Sequence, residues 1–273
     1  MPNKVQNHYS SRVDLALEIE RKLEAAGKYP DNLKAIDLST VDEFHIRGRK
    51  ATLELGRRMN LDSGSSVLDI GSGLGGPART IAEEYGCLVT GIDLTQAFCD
   101  AANQMSKWVN LDDKVTFQQG DATDLPFEDH QFDAAMTVHV AMNIPAKDKV
   151  YSEAKRVIKS GGVFVVYDVL KGEGDDLLFP VPWAREPSIS YLETSEGMEN
   201  LLTKAGFQIV QIDDSTEESH EWFEAMLDRL SKSGPPSVSF QAFLGDEYPD
   251  MVRNQVRNLA ERRIRTVTFV CAA

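Results

Sequence analysis

The chain has 273 residues, of which 42% are hydrophobic and 26% charged, which is typical of an ordinary globular protein with one α/β domain and extra elements. Aspartate and glutamate outnumber lysine and arginine by 43 to 29, for a formal net charge of −14, so the mean field disfavours nucleic-acid partners. Cys87, Cys99 and Cys271 form neither a CxxC pair nor an even disulfide framework, which predicts free thiols in a reducing compartment and no metal site.

The first segment, residues 1–60, is predicted to be a helical cap or lid over the main domain. Residues 1–10 lack an apolar stretch and no long apolar run occurs later, which predicts a cytoplasmic protein without a signal peptide or a membrane span. Apolar residues recur among charges from 11 to 27, which indicates a helix that Gly27 ends. A second helix is predicted over 44–59.

From residue 61 to 273, short apolar runs alternate with helical patterns. The apolar runs predict strands over 67–70, 88–93, 115–119, 132–138, 163–169, 207–212 and 265–270. The helical patterns predict helices over 77–85, 96–110, 147–157, 195–205, 216–231 and 248–262. Strands that alternate with helices in this way indicate one domain with a parallel sheet and right-handed crossovers.

A glycine-rich loop, DIGSGLGG over 69–76, follows the first predicted strand. Its glycines permit a tight turn and let backbone N–H groups approach a ligand closely. The next strand ends at Asp93, where a carboxylate can accept hydrogen bonds from both hydroxyls of a ribose, although it could instead cap the following helix. The loop and Asp93 together predict a ribose-bearing ligand, but the GxGxxG spacing alone also fits a dinucleotide.

Further motifs carry a family resemblance. The run VLDIGSGLGG, the pair Ile92-Asp93, the block GDATDLPF over 120–127 and the turn KSGG over 159–162 resemble the successive motifs of class I S-adenosylmethionine-dependent methyltransferases, in the right order. The resemblance implies S-adenosylmethionine as cofactor. It also implies a Rossmann-like α/β fold: a seven-stranded, mostly parallel sheet with helices on both faces, an N-terminal helical cap and a C-terminal antiparallel edge strand.

The same resemblance assigns the cofactor-binding residues. It implies that the loop glycines line the methionine part of the donor, that Asp93 holds the ribose, and that Asp69 orients the loop and meets the donor's ammonium group. It implies that residues following the second and third strands contact the adenine of the donor. The residues so implied are Asp69, Gly71, Gly73, Gly75, Asp93, Leu94, Asp121 and Ala122.

On the acceptor side, His139 follows the strand that should end near the donor methyl. A histidine there is expected to act as a general base or as a hydrogen-bonding gate, with a purely structural histidine as the alternative. His139 is also expected among the cofactor-binding residues. Asn143 is predicted to contact the substrate. Tyr9 is predicted as a catalytic lid residue and His45 as a substrate contact, although packing and helix capping would also explain them.

An insertion around 171–194 follows the fifth strand and should overhang the ligand-binding edge of the sheet. Trp183 and Arg185 in it are predicted to contact the acceptor, since an aromatic face stabilises an amine and a guanidinium holds a carboxylate. Ordinary packing of a proline-rich loop is the alternative. No metal is required for methyl transfer, so none is expected.

The flanking segments NHYS, DEFHIRGR and PVPWA look similar to those of sarcosine and dimethylglycine N-methyltransferases, with phosphoethanolamine methyltransferases as related enzymes. This implies methylation of a small-molecule amine by a monomer or homodimer. Carbon or oxygen methylation of an apolar ring, as in a quinone, tocopherol or macrolide, stays open. So do an NAD-binding oxidoreductase, for which no Tyr-xxx-Lys set is present, and a non-catalytic nucleoside-binding module.

Overall fold

The predicted strands form one seven-stranded sheet in the order β3-β2-β1-β4-β5-β7-β6. The computed structural model describes residues 14–236 and 238–273. The first five strands pair in parallel, and β7 is antiparallel to both of its neighbours. The strands are β1 (Ser66–Ile70), β2 (Leu88–Asp93), β3 (Val115–Gln119), β4 (Phe132–Val138), β5 (Ile158–Lys171), β6 (Gln208–Asp214) and β7 (Ile264–Ala272).

Helices cover both faces of the sheet, as the sequence predicts. One core cluster joins the sheet to α3, α4 and α5, and the other joins the opposite face to α6 and α7. The helices are α1 (Leu15–Ala25), α2 (Ala35–Asp42), α3 (Gly48–Gly56), α4 (Gly76–Tyr85), α5 (Gln96–Trp108), α6 (Lys147–Val157), α7 (Ser195–Lys204), α8 (Thr216–Ser233), α9 (Gln241–Leu244) and α10 (Tyr248–Ala260). Along the described chain, none of these helices combines the length and the apolarity needed to cross a bilayer.

The order of the strands places the ligand-binding edge. From β1 the chain runs outward through β2 and β3, then crosses back to β4 and continues to β5. The direction of winding therefore reverses between β1 and β4, and a crevice opens there at the carboxyl ends of the strands. The glycine loop leaves β1 at this point.

The C-terminal strand is antiparallel, as expected, but it lies one place in from the edge. Most of the β7 residues are buried, whereas β6 exposes most of its side chains. Because the apolar run of β7 needs neighbours on both sides, β6 takes the outer position.

The predicted N-terminal elements needed correction. The helix expected over 44–59 begins only at Gly48, because residues 43–47 form a turn in which Arg47 has a left-handed backbone with φ 69°. Helix α2 was not predicted, since its sequence AIDLSTVD mixes β-branched and hydroxyl residues that have low helix propensity. Tertiary packing stabilises it, because Leu38 and Val41 are fully buried.

A buried ion pair fastens α2 to the glycine loop. Arg79 of α4 is fully buried and donates to Asp42 Oδ2 over 2.8 Å. The same guanidinium donates to the carbonyls of Leu74 and Ala102 and to Ser106 Oγ. One side chain therefore connects the end of α2, the glycine loop and α5.

We predict that Arg79→Met lowers the free energy of unfolding by about 3–5 kcal/mol, because Asp42 would be left buried without its counter-ion. Chemical denaturation measures this. The double variant Arg79→Met/Asp42→Leu should recover most of the loss, since it removes both charges. A single variant within about 1 kcal/mol of the wild type would contradict a structural role for the pair.

Candidate active site

The glycine loop presents backbone to the crevice. Gly73 has φ 54°, and a Cβ built on it would meet no described atom within 4 Å. Gly75 has φ 81°, and a Cβ there would lie 2.4 Å from Cζ of Phe117. Gly75 is therefore required by packing, whereas Gly73 faces open space into which a ligand can fit.

Asp93 connects this loop to the end of β2. Its Oδ2 accepts the Gly73 amide at 2.9 Å and its Oδ1 accepts the Thr95 amide at 2.8 Å. Burial raises the pKa of Asp93, and the two amide donors act against that rise. Each carboxylate oxygen can accept a second hydrogen bond, so Asp93 can also receive ribose hydroxyls.

The residues assigned to the adenine side lie at the same edge. Asp93 of β2 is in register with Gln119 of β3, whose side-chain amide donates to the Leu94 carbonyl at 3.0 Å. Asp121 is exposed, and its Oδ1 accepts from the amide and the hydroxyl of Thr123. Ala122 is partly buried against the core. These residues border the crevice, and Asp121 also stabilises its own turn.

Within the segment 69–76, the buried atoms Asp69 Oδ2 and Ser72 Oγ have no partner among the described residues. Asp69 is 1% exposed, and burial raises its pKa to about 8, with repulsion from Glu43 and Asp93 raising it further. Buried polar groups normally have hydrogen-bond partners. The ammonium and hydroxyl groups of S-adenosylmethionine would supply such partners, so these residues fit that cofactor.

His139 follows β4 and has a left-handed backbone, with φ 54°. Its ring lies 4.8 Å from the ring of Tyr167 and 6.0 Å from that of His45 between centroids. Its Nε2 is buried without a partner in the described part of the chain. Burial, and then repulsion from His45, lower the pKa of His139 well below its usual value, so its imidazole is neutral at physiological pH.

His45 is also neutral. Burial lowers its pKa to about 4. Its Nε2 lies 3.0 Å from the Gly48 carbonyl, which can only accept, so this nitrogen carries the proton. The two imidazoles thus form a neutral, polar end to the crevice.

Both imidazoles open onto a cavity of about 50 Å³ whose wall contains no charged side chain among the described residues. The wall is mostly aromatic and aliphatic and is contributed by the turn before α3, the end of β4, the insertion and helices α8 and α10. The lining residues are Phe44, His45, Ile46, His139, Met142, Pro182, Trp183, Trp222, Phe223, Met226, Phe240, Tyr248, Val252 and Gln255.

A larger cavity of about 470 Å³ lies between α3 and the β6 edge. It is polar, and its wall includes Tyr167 but neither the glycine loop nor Asp93. Size therefore does not locate the site here. Partnerless polar atoms do not locate it either, since Arg47, in the wall of the larger cavity, has a buried Nε without a described partner. The position of the crevice at the carboxyl ends of the parallel strands, next to the glycine loop, is the feature that favours it.

Of the acceptor residues predicted from sequence, His45, His139 and Trp183 meet in the small cavity. Asn143 and Arg185 are not in its wall. The Asn143 amide donates to the carbonyls of Trp183 and Ile189 at 2.8 and 2.9 Å, which holds the insertion in place. Arg185 pairs with Glu247 at 2.6 Å near the surface. Tyr9 lies outside the described residues.

Sequence reasoning missed the far wall of the cavity. Trp222, Phe240 and Tyr248 come from α8, the segment before α9 and α10, far along the chain from the glycine loop. The apolar positions of α8 and α10 were visible as amphipathic helices, but the pattern does not say which surface they cover. The contact of Tyr167 with His139 was also missed, because the sequence around Tyr167 shows only that it belongs to a buried strand.

Comparisons with known proteins agree on the fold. Residues 68–166 match the methyltransferase domain family. The chain is 34% identical over 191 residues to sterol 24-C-methyltransferase erg6 of Schizosaccharomyces pombe, a match that covers 65% of this chain and only half of that protein. It is 29% identical over 198 residues to methyltransferase GfsG of Streptomyces halstedii, over 70% of each chain.

Among solved structures, phosphoethanolamine N-methyltransferase 2 of Haemonchus contortus, in complex with phosphomonomethylethanolamine and S-adenosylhomocysteine, superposes with a TM-score of 0.72 at 23% identity. The superposition covers 93% of this chain and 60% of that one. At this identity the likeness shows the fold alone.

We predict that Asp93→Ala weakens binding of S-adenosylmethionine by about 1–3 kcal/mol, the usual cost of losing hydrogen bonds to a polar ligand. Isothermal titration calorimetry measures the affinity. Asp100→Ala, which removes an exposed carboxylate of α5, serves as the matched control and should bind normally. Equal affinity in the two variants would exclude Asp93 from the site.

Proposed function

Because the chain carries a class I S-adenosylmethionine-dependent methyltransferase domain, we propose that it transfers the methyl group of that donor to a neutral, largely apolar small molecule. The donor binds at the glycine loop and Asp93. The aromatic cavity that His45 and His139 border has a volume of about 50 Å³, so it takes only the reacting end of the acceptor.

The main support for this proposal is that the wall of the acceptor cavity contains no charged side chain among the described residues. An anionic or zwitterionic acceptor would lose its hydration there without gaining a counter-ion, which costs several kcal/mol. An apolar acceptor gains free energy in proportion to the area that it buries against the aromatic walls. The chemistry of the cavity therefore favours an apolar molecule.

The amine acceptor implied by the sequence resemblance is less well supported. A carboxylate such as that of sarcosine or dimethylglycine needs a cation, and the guanidinium of Arg185 is already paired with Glu247. The sterol methyltransferase relative agrees with the alternative that the sequence left open, methylation of carbon or oxygen on an apolar molecule.

When bound, the donor supplies an electrophilic methyl group on a sulfonium. The glycine loop and Asp93 fix the donor's position, so that methyl transfer to the acceptor becomes a reaction between aligned groups. The aromatic walls exclude water. The partnerless Nε2 of His139 faces no competing hydrogen-bond donor in the described structure, and as a neutral base it accepts the proton that the acceptor loses.

The acceptor class can be tested with isotopically labelled donor and a panel of acceptors. We expect methyl incorporation into a sterol with a side-chain double bond or into a macrolide aglycone, and none into sarcosine, dimethylglycine or phosphoethanolamine. Geranyl diphosphate, which is apolar along its chain but anionic at one end, tests whether the site selects acceptors by their apolar surface or by their lack of charge. Transfer to sarcosine at a comparable rate would overturn the proposed class.

We predict that His139→Gln lowers turnover by about 10²–10⁴-fold, the usual contribution of a general base, and leaves donor affinity within twofold. Turnover of the best acceptor in the panel and donor titration measure the two effects.

Because the pKa of His139 lies well below its usual value, the imidazole stays neutral as the pH rises from 6.5 to 8. The wild-type rate should therefore be flat in this range on account of His139 and fall only as the pH drops toward that lowered pKa. Equal losses of turnover and donor affinity would make the residue structural.

A further inference from the structure

The larger cavity, of about 470 Å³ between α3 and the β6 edge, has no part in the proposed methyl transfer. Its volume lies in the range of small-molecule binding sites. Among the described residues, its wall has no residue in common with the aromatic cavity and includes neither the glycine loop nor Asp93. A molecule bound there would therefore occupy a site of its own.

Opposite sides of this cavity carry charged side chains. On one side, residues of α3 and its two ends recur at spacings of three or four, which places them along one side of the helix: Arg47, Lys50, Glu54 and Arg58. The other side, from the end of β6 to the first turn of α8, supplies carboxylates and a hydroxyl: Asp213, Asp214, Ser215 and Glu218. The described wall thus holds three cations and four carboxylates.

Most of these charges are already paired. Three of the carboxylates, Glu54, Asp213 and Asp214, have arginine partners, which are in that order Arg47, Arg58 and Arg265. The fourth, Glu218, is exposed, so water hydrates it. Lys50 lies on the opposite side and has no ion-pair partner in the part of the chain that the structure describes. An ammonium group is therefore left for a ligand.

Arg47 is the buried cation of this wall. It is 8% exposed, and its Nη2 donates to Glu54 Oε2 at 2.5 Å. Its Nε is buried and has no hydrogen-bond partner within residues 14–236 and 238–273. Buried polar groups normally have partners, and a guanidinium can only donate. A ligand that satisfies Arg47 must therefore supply an acceptor, and an anionic acceptor would also balance the charge of Lys50.

We propose that this cavity is a second binding site, for a small polar organic molecule that carries a carboxylate or a phosphate group. The anionic group pairs with Arg47 and Lys50. The polar remainder of the ligand faces the hydroxyls of Ser215 and Thr268, which also belong to the wall. The site does not depend on the proposed methyl transfer, because no step of that reaction uses this cavity.

The test uses three sugars that differ in the group at one carbon: glucuronate carries a carboxylate, glucose 6-phosphate carries a phosphate and glucose is neutral. Saturation-transfer NMR and calorimetric titration measure the dissociation constant of each. We expect at least one of the two anions to bind with a millimolar or lower dissociation constant and glucose not to bind. The two anions distinguish a carboxylate ligand from a phosphate ligand. If neither binds at millimolar concentration, or if glucose binds equally well, the proposal is wrong.

Two variants locate the bound anion. Arg47→Gln should weaken binding at least about tenfold, because it removes charge-assisted hydrogen bonds. Lys50→Gln should weaken it about threefold, since exposed charge pairs contribute less, and it serves if Arg47→Gln does not fold. Lys232→Gln is the matched control, because it removes an exposed ammonium group of α8 that pairs with Asp228. Unchanged binding in the folded cavity variants, or an equal loss in the control, would contradict the assignment.

Two further measurements separate this site from those of methyl transfer. The anion should still bind when the protein is saturated with S-adenosylhomocysteine, and it should not receive a methyl group from labelled donor. Displacement would place the anion in the donor crevice and methylation would make it an acceptor, so either result would overturn the second site. A chain that binds the anion but not S-adenosylmethionine would instead refute the proposed function and leave this site intact.

Discussion

The hydrogen bond from the Gly73 amide to Asp93 is the contact on which the site depends. It joins the loop after β1 to the end of β2, and so fixes the distance between the two parts that a nucleoside must span. The loop can approach Asp93 so closely because its backbone turns through left-handed conformations. The parallel sheet supplies the rest, since it brings both strand ends to one edge.

Around this contact, the proposed donor site and the proposed acceptor site differ in chemistry. The donor side is backbone and carboxylate, with partnerless oxygens and raised carboxyl pKa values. The acceptor side is aromatic and uncharged, with two neutral imidazoles where the sides meet. The two proposed sites are adjacent because His139 directly follows β4, the strand next to β1.

The residues of the proposed donor site could largely be identified from sequence, and those of the proposed acceptor site could not. The bounds of β3 and β4 follow from their apolar runs, and Asp69, Asp93 and the glycines follow from motifs that are local in sequence. Helix α2 could not be predicted because packing, not propensity, stabilises it. The neutral character of the cavity could not be predicted, because it depends on contacts between residues that are far apart in the sequence. No local pattern shows that Arg185 pairs with Glu247 or that Trp222 and Tyr248 line the cavity.

Part of the acceptor wall, including Trp183 and Phe223, belongs to a hydrophobic cluster that is distinct from the two clusters that hold the sheet. The remaining wall residues Phe44, Phe240 and Tyr248 pack instead against the cluster that contains Leu74 of the glycine loop. Side chains of the first part, such as Trp183 and Phe223, can change without disturbing the cluster that contains the glycine-loop residue Leu74. Substitutions in the second half of the chain can therefore give the protein a new acceptor during evolution, while the central strands keep binding the same donor. Directed evolution of acceptor preference should therefore be concentrated on the insertion and on α8 and α10.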